Sequence, residues 1–571
     1  MKFLLKYLRP HVPIMALGLL IKIIGTLMDL LIPYILEHII DNVVPTGEIK
    51  NVILFGSLMI ICALVGLVGN IVANRMASAV ARDTTRGIRS DLFERVSYLS
   101  SRQIDEITIP TLETRLTSDT YNIHHMVGMM QRLGVRAPIL LIGGIAVTFS
   151  MEPALCLVLL CVLPIITAVV FIISKKGIPL FKNVQEKTDA MVGTVRETAQ
   201  GIRVIKALSK RDHQNEKFSE SNKNLSKAEL KSGYVISLTN PLMNAFLNIG
   251  MAAVILVGAF RVNGGDAKAG MIIAFMSYFT IILNAMLSIT RMFTLFSKGA
   301  ASASRISEVI ETKPDYEIIE QDETVDNGCI IEFEDVSFSY NGAKENLKNV
   351  SFSLNKGQTL GVIGATGSGK STLIQLLLRF YDANSGRILI DGKDIRSLTP
   401  EELRTIFGTV LQNDFIYAGT LLDNIDFGRD LPKEQIDEAI IDAQAFDFVS
   451  KLEDGLEHWI NTKGTNLSGG QKQRVLITRA LASRPDVLIL DDSSSALDYR
   501  TDASLRASLR EKYNNATKII VAQRVSSIAH ADRILVLDGG RVVGDGTHNE
   551  LIENCEIYRE ISQSQIGGEA E

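Results

Sequence analysis

Two adjacent carboxylates end an apolar run in the C-terminal half of the chain. In VLILDDSSSALD, residues 487–498, four apolar residues lead directly into Asp491 and Asp492. Like charges this close together repel each other unless a cation or a substrate lies between them. The spacing therefore predicts that the end of this strand faces a bound cation, a bound substrate, or both.

A glycine-rich loop upstream is a candidate for the substrate side of such a site. TLGVIGATGSGKSTLIQLLLRF reads as a strand, a loop and a helix, and residues 364–371 fit the pattern G-x-x-x-x-G-K-[ST]. In this pattern glycines let backbone N–H groups curl around phosphates, Lys370 reaches the β and γ oxygens, and the hydroxyl of Ser371 holds magnesium. The loop predicts a domain that binds a nucleoside triphosphate with Mg2+.

A second anion-binding helix start follows about 100 residues later. In TNLSGGQKQRVLITRAL, residues 468–471 open a helix with a hydroxyl and bare backbone, where N–H groups and the helix dipole favour negative charge. One domain has no obvious need for two such cradles. A head-to-tail pair of domains does, if each cradle closes over the nucleotide of its partner.

The first 300 residues contain long apolar runs that predict membrane spans. A span needs about 20 mostly apolar residues, and four runs qualify without a charge, whereas two others are less clean. A preceding basic and leucine-rich segment, about residues 1–11, predicts an amphipathic elbow helix on the inner membrane surface. The six predicted spans are about 13–36, 52–74, 136–151, 153–174, 232–260 and 269–290.

Basic residues between the spans predict their orientation. The connection 75–136 carries nine Lys and Arg and the connection 175–231 carries thirteen, whereas the opposite loops hold Lys50, Arg261 and Lys268. The positive-inside rule therefore places both long connections and both termini in the cytoplasm of a multi-pass protein of the cell membrane. A helical apolar period continues into both connections, so the spans should extend as long helices that turn back near 112–121 and 206–216.

Polar residues inside the spans have two interpretations. Lys22, Asp29 and Glu37 share one face of the first span, and charges at membrane depth usually face a bundle interior or a watery cavity. Alternatively, Lys22 and Glu37 snorkel and Asp29 pairs inside the bundle. The possible cavity-lining residues are Lys22, Asp29, Asn244, Asn248 and Asn284.

Composition limits the remaining classes. The net charge of -5 over 571 residues argues against nucleic acid as a partner, and the five cysteines form no C-x-x-C pair, which favours buried thiols over a disulfide frame or a zinc site. The predicted organisation is a membrane domain over residues 1–300, a linker over 301–328 and a nucleotide-binding domain over 329–571. The fold class is an α-helical membrane domain, six helices with long cytosolic extensions, followed by an α/β P-loop NTPase domain.

In these motifs and their order, nearly the whole chain resembles the ATP-binding cassette (ABC) exporters of type I, also called type IV. These are half-transporters with six spans followed by one nucleotide-binding domain. The resemblance implies that Tyr340 in FEDVSFSY stacks on adenine, that Gln412 in GTVLQND senses the metal and the membrane domain, and that the two cytosolic turns are coupling helices. It implies ATP and Mg2+ as cofactors, with Mg2+ held by Ser371, Gln412 and Asp491.

The resemblance assigns the remaining motif residues by position. The ATP-binding residues it implies are Tyr340, Gly364, Ala365, Thr366, Gly367, Ser368, Gly369, Lys370, Ser371, Thr372 and Gln412. The signature motif, which would complete the partner's site, is Leu467, Ser468, Gly469, Gly470 and Gln471, and the D-loop is Ser495, Ala496, Leu497 and Asp498.

Two catalytic positions depart from the family pattern. A glutamate usually follows the Walker B aspartate and polarises the attacking water, but here Asp492 is one methylene shorter. A misplacement of about 1 Å can slow chemistry on the order of a hundredfold. The switch segment usually reads A-H-R, but Gln523 stands at the histidine position and cannot titrate or carry a positive charge.

These departures predict the degenerate-site subunit of a heterodimeric exporter. A second, non-identical half-transporter would supply Glu and His at the competent site, and the intact signature here would complete that site. The complex would hydrolyse ATP to move drugs or other small amphipathic compounds out of the cytoplasm through the lipid bilayer by alternating access. The alternatives are a homodimeric lipid or peptide exporter, and an ATP-gated membrane protein that does not pump.

Overall fold

The computed structural model consists of two compact units. It describes residues 2–265, 267–316, 318–320, 328–340, 342 and 344–566. One unit comprises Met1–Ser97 and Pro110–Thr312, and the other comprises Tyr98–Ile109 and Lys313–Glu571. The short segment Tyr98–Ile109 therefore leaves the helical unit and belongs with the nucleotide-binding fold.

The helical unit contains six helices that are long and apolar enough to cross a membrane. This confirms the prediction of six spans, and each candidate span, 42 to 53 residues long, is longer than its apolar run. The helix Ile49–Ser97 has 49 residues, about 74 Å at 1.5 Å per residue, against a hydrocarbon thickness of about 30 Å. The helices of this unit are Lys2–Leu8, Val12–His38, Ile49–Ser97, Ile109–Thr114, Thr120–Met151, Pro153–Gln200, Ile202–Ala207, Arg211–Ser237, Thr239–Asn263 and Ala269–Ile310.

The turn predicted near 112–121 is wrong. The chain reverses earlier, through the short helix Ser101–Ile107, and residues 109–151 then run as one candidate span. Ser100 starts the short helix with a capping box, and Thr108 ends it in a left-handed conformation at φ 70°. A Ser-x-x-Gln signal thus marks the turn, whereas the polar residues of 112–121 are accommodated within a helix.

The second turn lies close to its predicted place. The helix Pro153–Gln200 ends at Gly201, the helix Ile202–Ala207 follows, and the return helix begins at Arg211. Ser209, with φ 52°, provides the change of direction. The predicted turn at 206–216 is therefore a few residues late.

The third and sixth membrane helices, Thr120–Met151 and Ala269–Ile310, pack closely through small residues. A Cβ on Gly299 would lie 2.5 Å from the Cβ of Met126, and one on Gly144 would lie 2.7 Å from Cγ1 of Ile282. Small residues let helix backbones approach each other, and dispersion contacts between close helices stabilise bundles in lipid.

A buried carboxylate directly before the third membrane helix contacts the sixth. Asp119 is 1% exposed and accepts hydrogen bonds from the hydroxyl of Ser302 at 2.8 Å, from Nε of Arg305 at 3.0 Å and from Nη1 of Arg115 at 3.3 Å. Such a carboxylate is stable when buried because several donors replace its water.

The last membrane helix continues to Ile310, ten residues into the predicted linker 301–328. Residues 317 and 321–327 of that linker lie outside the described residues. The nucleotide-binding fold begins with the strand Cys329–Phe338.

The nucleotide-binding fold is built on two main sheets and a small strand pair. The strands are β1 Cys329–Phe338, β2 Leu347–Asn355, β3 Thr359–Gly364, β4 Ser385–Ile390, β5 Lys393–Asp394, β6 Phe407–Val410, β7 Gly419–Thr420, β8 Trp459–Ile460, β9 Val487–Asp491, β10 Thr517–Val521, β11 Arg533–Asp538 and β12 Arg541–Gly546. Six of them form one sheet in the order β12-β11-β3-β10-β9-β6, in which all strands but β12 are parallel. Four others form an antiparallel sheet in the order β2-β1-β4-β5.

Parallel strands covered on both faces read as continuous apolar runs. All five residues of β9 are buried, as are Leu360 to Ile363 of β3. Because β3 and β9 lie on either side of β10, their carboxyl ends bring the glycine-rich loop and the two aspartates to one edge of the sheet. In open α/β sheets ligands bind at this edge.

The helices of this fold cover the sheets. They are Lys370–Leu377, Pro400–Ile406, Leu421–Asp426, Lys433–Asp442, Phe446–Val449, Gly469–Leu481, Tyr499–Lys512, Val525–Ile528, His548–Asn554 and Glu556–Ile566.

We expect Asp119→Asn to destabilise the helical unit. The amide cannot balance the charge of Arg305 and Arg115, and removing one partner of a buried ion pair costs about 3 kcal/mol. The midpoint of thermal unfolding in detergent should fall by roughly 5 °C or more. Asp83→Asn is the matched control, since Asp83 is 37% exposed and pairs with exposed Arg82. Equal midpoints for the two variants would contradict the structural role of Asp119.

Candidate nucleotide site

The glycine-rich loop has a backbone that its glycines require. Gly367 and Gly369 have φ values of 81° and 105°, in the left-handed region that favours glycine. A Cβ on Gly364 would lie 2.1 Å from the carbonyl oxygen of Leu537. The loop is thus packed against β11 on one side and leads into the helix Lys370–Leu377 on the other.

Lys370 lies folded over its own loop. Its Nζ donates to the carbonyl oxygens of Gly364 at 2.8 Å and Ala365 at 2.9 Å. Burial lowers the pKa of the Lys370 ammonium, and the nearby carboxylates of Asp491 and Asp492 act in the opposite direction. An ammonium in this position is within the loop that would surround phosphates.

Asp491 lies at the end of β9 and is 5% exposed. The hydroxyl of Ser371 donates to Oδ2 of Asp491 at 3.3 Å. Burial raises the pKa of the Asp491 carboxyl, and Asp492 raises it further, because both disfavour the charged form. A cation bound next to Asp491 would relieve this cost.

Asp492 has a left-handed backbone, φ 52°, and points toward the switch segment. Its amide N–H donates to the carbonyl of Val521 at 2.9 Å, and Nε2 of Gln523 donates to its Oδ2 at 3.2 Å. Burial raises the pKa of the Asp492 carboxyl, while Lys370 and Arg524 lower it. The two residues that depart from the family pattern, Asp492 and Gln523, are therefore hydrogen-bonded to each other.

One cavity of about 190 Å³ brings these groups together. Predicted site residues from the loop, from β9, from the switch segment and from the Gln412 segment all line it, so residues far apart in sequence share one space. The lining residues are Asn346, Thr366, Gly367, Gly369, Lys370, Ser371, Thr372, Gln412, Asp491, Asp492, Val521, Ala522 and Gln523.

The oxygen atoms in this cavity fit a magnesium ion. Ser371, Asp491 and Gln412 supply a hydroxyl, a carboxylate and an amide oxygen, and Mg2+ prefers oxygen ligands with one or two carboxylates and substrate phosphates. The described residues contain no group of three or more His, Cys, Asp and Glu side chains that could hold a metal by themselves. The arrangement thus suits a metal bound together with a phosphate chain.

Tyr340 lies beside the helix that follows the loop. Its hydroxyl donates to the side-chain oxygen of Gln375 and lies 3.3 Å from Oγ1 of Thr372, which can donate to it, and its ring packs edge to face with Tyr381, 5.1 Å between centroids. Tyr340 is 40% exposed, which leaves part of its surface available to a flat ligand such as adenine.

Sequence reasoning missed Asn346, Gln375 and Tyr381. Asn346 lines the cavity, and its side chain accepts from the amide of Tyr340 at 3.4 Å. Tyr381 donates to Asp105 on the short helix Ser101–Ile107, a partner 276 residues away. Asn346 directly precedes β2, so a polar residue at the start of a strand could have been noted from the sequence. No local pattern indicates the contact of Tyr381 with Asp105.

The signature residues form the start of a 13-residue helix. Ser468 accepts from the amide of Gln471 at 3.3 Å, and Oε1 of Gln471 accepts from the amide of Ser468 at 2.8 Å, which is a capping box. Leu467 is buried, while Ser468 and Gly469 are exposed. In the part of the chain that is described, these residues do not line the cavity at Lys370, so the exposed cradle is free to meet another nucleotide.

The D-loop packs against the signature. A Cβ on Gly470 would lie 3.2 Å from the carbonyl oxygen of Ala496, and one on Gly469 would lie 3.9 Å from the Cβ of Ala496. Asp498 caps the next helix by accepting from the amide of Thr501 at 2.9 Å. The other predicted D-loop residues, Ser495 and Leu497, lie in the same turn.

The predicted membrane residues separate into two groups. Lys22 is buried and Asp29 is half-buried, whereas Asn244, Asn248 and Asn284 are exposed on this chain. The three asparagines share no contact with Lys22 or Asp29 among the hydrogen bonds of the described residues.

Comparison with known proteins agrees with this architecture. The family models of the ABC transporter transmembrane region and of the ABC transporter domain match residues 15–286 and 347–495. A protein of Mycobacterium tuberculosis, described as an uncharacterized ABC transporter ATP-binding protein, is 34% identical over 98% of this chain and 97% of its own length. YfiB of Bacillus subtilis, with the same description, is 31% identical over 99% and 98%.

A solved structure of a bacterial Atm1-family ABC exporter with ATP bound has a TM-score of 0.81 to this chain, with 25% identity and coverage of 98% of both chains. The whole length of the chain, both domains included, is thus accounted for by one architecture. The chain belongs to the ABC transporter family, as a multi-pass membrane half-exporter whose ATP-binding domain couples ATP hydrolysis to transport.

Proposed function

We propose that this chain is the subunit of a heterodimeric exporter that holds ATP in a slow site. One observation carries the proposal: Asp492 and Gln523 are hydrogen-bonded to each other at 3.2 Å beside an otherwise complete nucleotide loop. A short carboxylate tied to a neutral amide is poorly placed to activate water, and neither group supplies the titratable imidazole of the family pattern.

The binding half of the site supports nucleotide retention. Lys370, Ser371 and the loop amides would hold the phosphates of ATP, and Tyr340 would stack on adenine. Mg2+, held by Ser371, Asp491 and Gln412, would neutralise charge on the phosphates. The residues of this chain thus bind and orient the nucleotide, whereas Asp492 and Gln523 activate the attacking water poorly.

The signature of this chain would serve the other site. Its exposed helix start, with Ser468 and the bare amides of Gly469 and Gly470, suits a phosphate chain approached from outside the domain. In a head-to-tail dimer the partner would contribute the Glu and His of the competent site. Turnover there would drive the alternating access of the complex.

The transported compound is proposed to be a drug or another small amphipathic molecule. The six long membrane helices are predominantly apolar, which supports a compound with a hydrocarbon part. We place the N-terminus, the nucleotide-binding domain and the C-terminus in the cytoplasm, on the excess of basic residues in the long connections.

We expect Asp492→Asn to reduce the ATPase rate of the complex by less than about twofold, because turnover occurs mainly in the partner's site. The rate is measured after purification through a tag on this chain. The double variant Asp492→Glu, Gln523→His, which restores the residues of the family pattern, should increase the ATPase rate of the complex. Loss of activity to background in Asp492→Asn would show that this site is the active one.

Ser468→Arg should abolish turnover of the complex. The long cationic side chain would block the cradle that completes the partner's site. Thr547→Arg is the matched control, because Thr547 forms the same capping box at the start of another helix. An unchanged ATPase rate for Ser468→Arg would contradict the head-to-tail arrangement.

Asp491→Asn should raise the thermal stability of the ligand-free protein and weaken its stabilisation by nucleotide with Mg2+. Burial raises the pKa of this carboxyl, so at pH 7 the ligand-free protein contains an ionised group in an unfavourable environment, and the amide removes that cost. The variant should therefore unfold at a higher temperature than the wild type at pH 7. As the pH falls through the raised pKa and then below the ordinary pKa of an aspartate, the carboxyl becomes protonated in both the folded and the unfolded protein, and this difference should vanish.

The same experiment with ATP and Mg2+ tests the metal assignment. Nucleotide with Mg2+ should raise the unfolding temperature of the wild type more than that of Asp491→Asn, because the amide cannot replace the carboxylate toward the cation. Equal stabilisation of both proteins would contradict the role of Asp491.

A further inference from the structure

A polar cluster lies between three membrane helices of the helical unit. It consists of Lys22 and Asp29 on the helix Val12–His38, Asn74 on the helix Ile49–Ser97, and Arg132 and Arg136 on the helix Thr120–Met151. Nζ of Lys22 donates to Oδ1 of Asn74 at 2.9 Å, and Nη2 of Arg136 donates to Oδ2 of Asp29 at 3.1 Å. We call these five residues the cationic cluster.

The cluster has an excess of positive charge. The charged groups that interact with Lys22 are Arg136, Asp29 and Arg132, which makes three cations and one carboxylate. Lys22 is 3% exposed, and charges at membrane depth are costly unless they are paired. Two of the three positive charges have no carboxylate to balance them within the cluster.

The two arginines are placed to bind one anion together. Arg132 and Arg136 are four residues apart on one helix, where like charges repel each other unless an anion lies between them. A guanidinium presents several donors in a plane that matches a carboxylate or a phosphate. Nε of both arginines is buried and has no hydrogen-bond partner among the described residues, so each retains an unused donor.

The cluster also has an open side. The side chain of Arg136 is 40% exposed and that of Asp29 is 25% exposed, so an anion can reach the guanidinium. The opposite side of the carboxylate is closed, because Oδ1 of Asp29 lies so near Gly66 that a Cβ on this residue would be 2.9 Å from it.

We propose that the cationic cluster binds the anionic headgroup, a phosphate or a carboxylate, of an amphiphilic compound that the exporter transports. This rests on the proposed export of amphiphiles and narrows their class to anions. The three cations bind the headgroup, and Asp29 competes with it for Arg136. The apolar surfaces of the helices would accept the hydrocarbon part.

The test uses the complex purified through this chain and reconstituted in phosphatidylcholine nanodiscs. The probes are dodecyl phosphate, dodecyltrimethylammonium and dodecyl maltoside, which share a chain and differ in charge. Dodecyl phosphate should bind most tightly and stimulate ATPase activity at the lowest concentration. Equal binding of the three probes, after subtraction of binding to empty nanodiscs, would overturn the proposal.

Substitutions within the cationic cluster should change the affinity for dodecyl phosphate in opposite directions. Arg132→Gln and Arg136→Gln should each weaken dodecyl phosphate binding about tenfold, while Arg132→Lys, which retains the charge, should weaken it less. Asp29→Asn should tighten binding, because the competing carboxylate is gone. Arg75→Gln is the matched control on an exposed arginine next to Asn74. Weakening by Asp29→Asn in a protein with wild-type thermal stability would contradict the proposal.

Two sources of the headgroup are distinguished in the same preparation. A transported compound stimulates turnover and exchanges with added dodecyl phosphate. A phospholipid that co-purifies, does not exchange and leaves turnover unchanged would be a structural lipid and would overturn the substrate assignment. Failure of the proposed slow site would show instead as fast ATP turnover by this chain alone, with the charge dependence of probe binding intact.

Discussion

The two carboxylates at the end of β9 are the constraint on which the nucleotide site depends. The sheet buries Asp491 beside Ser371 and Lys370, and the next residue, Asp492, has to turn away in a left-handed conformation. Burial disfavours the charge on both groups. Such an arrangement is unfavourable in the ligand-free protein and becomes favourable with a cation and a phosphate chain. The ligand-free protein is thus locally destabilised at the place where the ligand would bind.

The nucleotide site is linked by direct contacts to a segment that connects two membrane helices. Tyr340 packs against Tyr381, and the hydroxyl of Tyr381 donates to Asp105 on the helix Ser101–Ile107. Ser100, which caps that helix, donates to Oδ2 of Asp315 at 2.8 Å. A change at Tyr340 can therefore reach this segment through packed rings and one charge-assisted hydrogen bond.

Local patterns were enough to predict much of this structure. The apolar runs predicted six spans, and the spacing of glycines around Lys370 predicted a loop between a strand and a helix, because both signals lie within short windows. The placement of Asp491 and Asp492 at a strand end followed from the apolar run before them. Their contacts with Ser371 and Gln523 depend on the order of the strands.

Features that depend on distant contacts were not predicted. The Tyr381–Asp105 hydrogen bond joins residues 276 apart, and the Arg136–Asp29 pair joins residues 107 apart. Arg136 was placed at the edge of a span, and nothing in its neighbourhood indicates that it contacts Asp29 in the bundle. The turn at 98–108 was missed for a different reason. Its capping box is a short polar signal within a long helical pattern, and the pattern was extended across it.

We propose that this chain binds ATP well and hydrolyses it slowly. The most direct measurement uses the chain purified without its partner and reconstituted in lipid, with bound nucleotide and phosphate release followed in the same sample. We expect that a photoreactive ATP analogue labels the protein, while phosphate release stays close to background. Rapid phosphate release by the chain alone, or an absence of labelling, would contradict it.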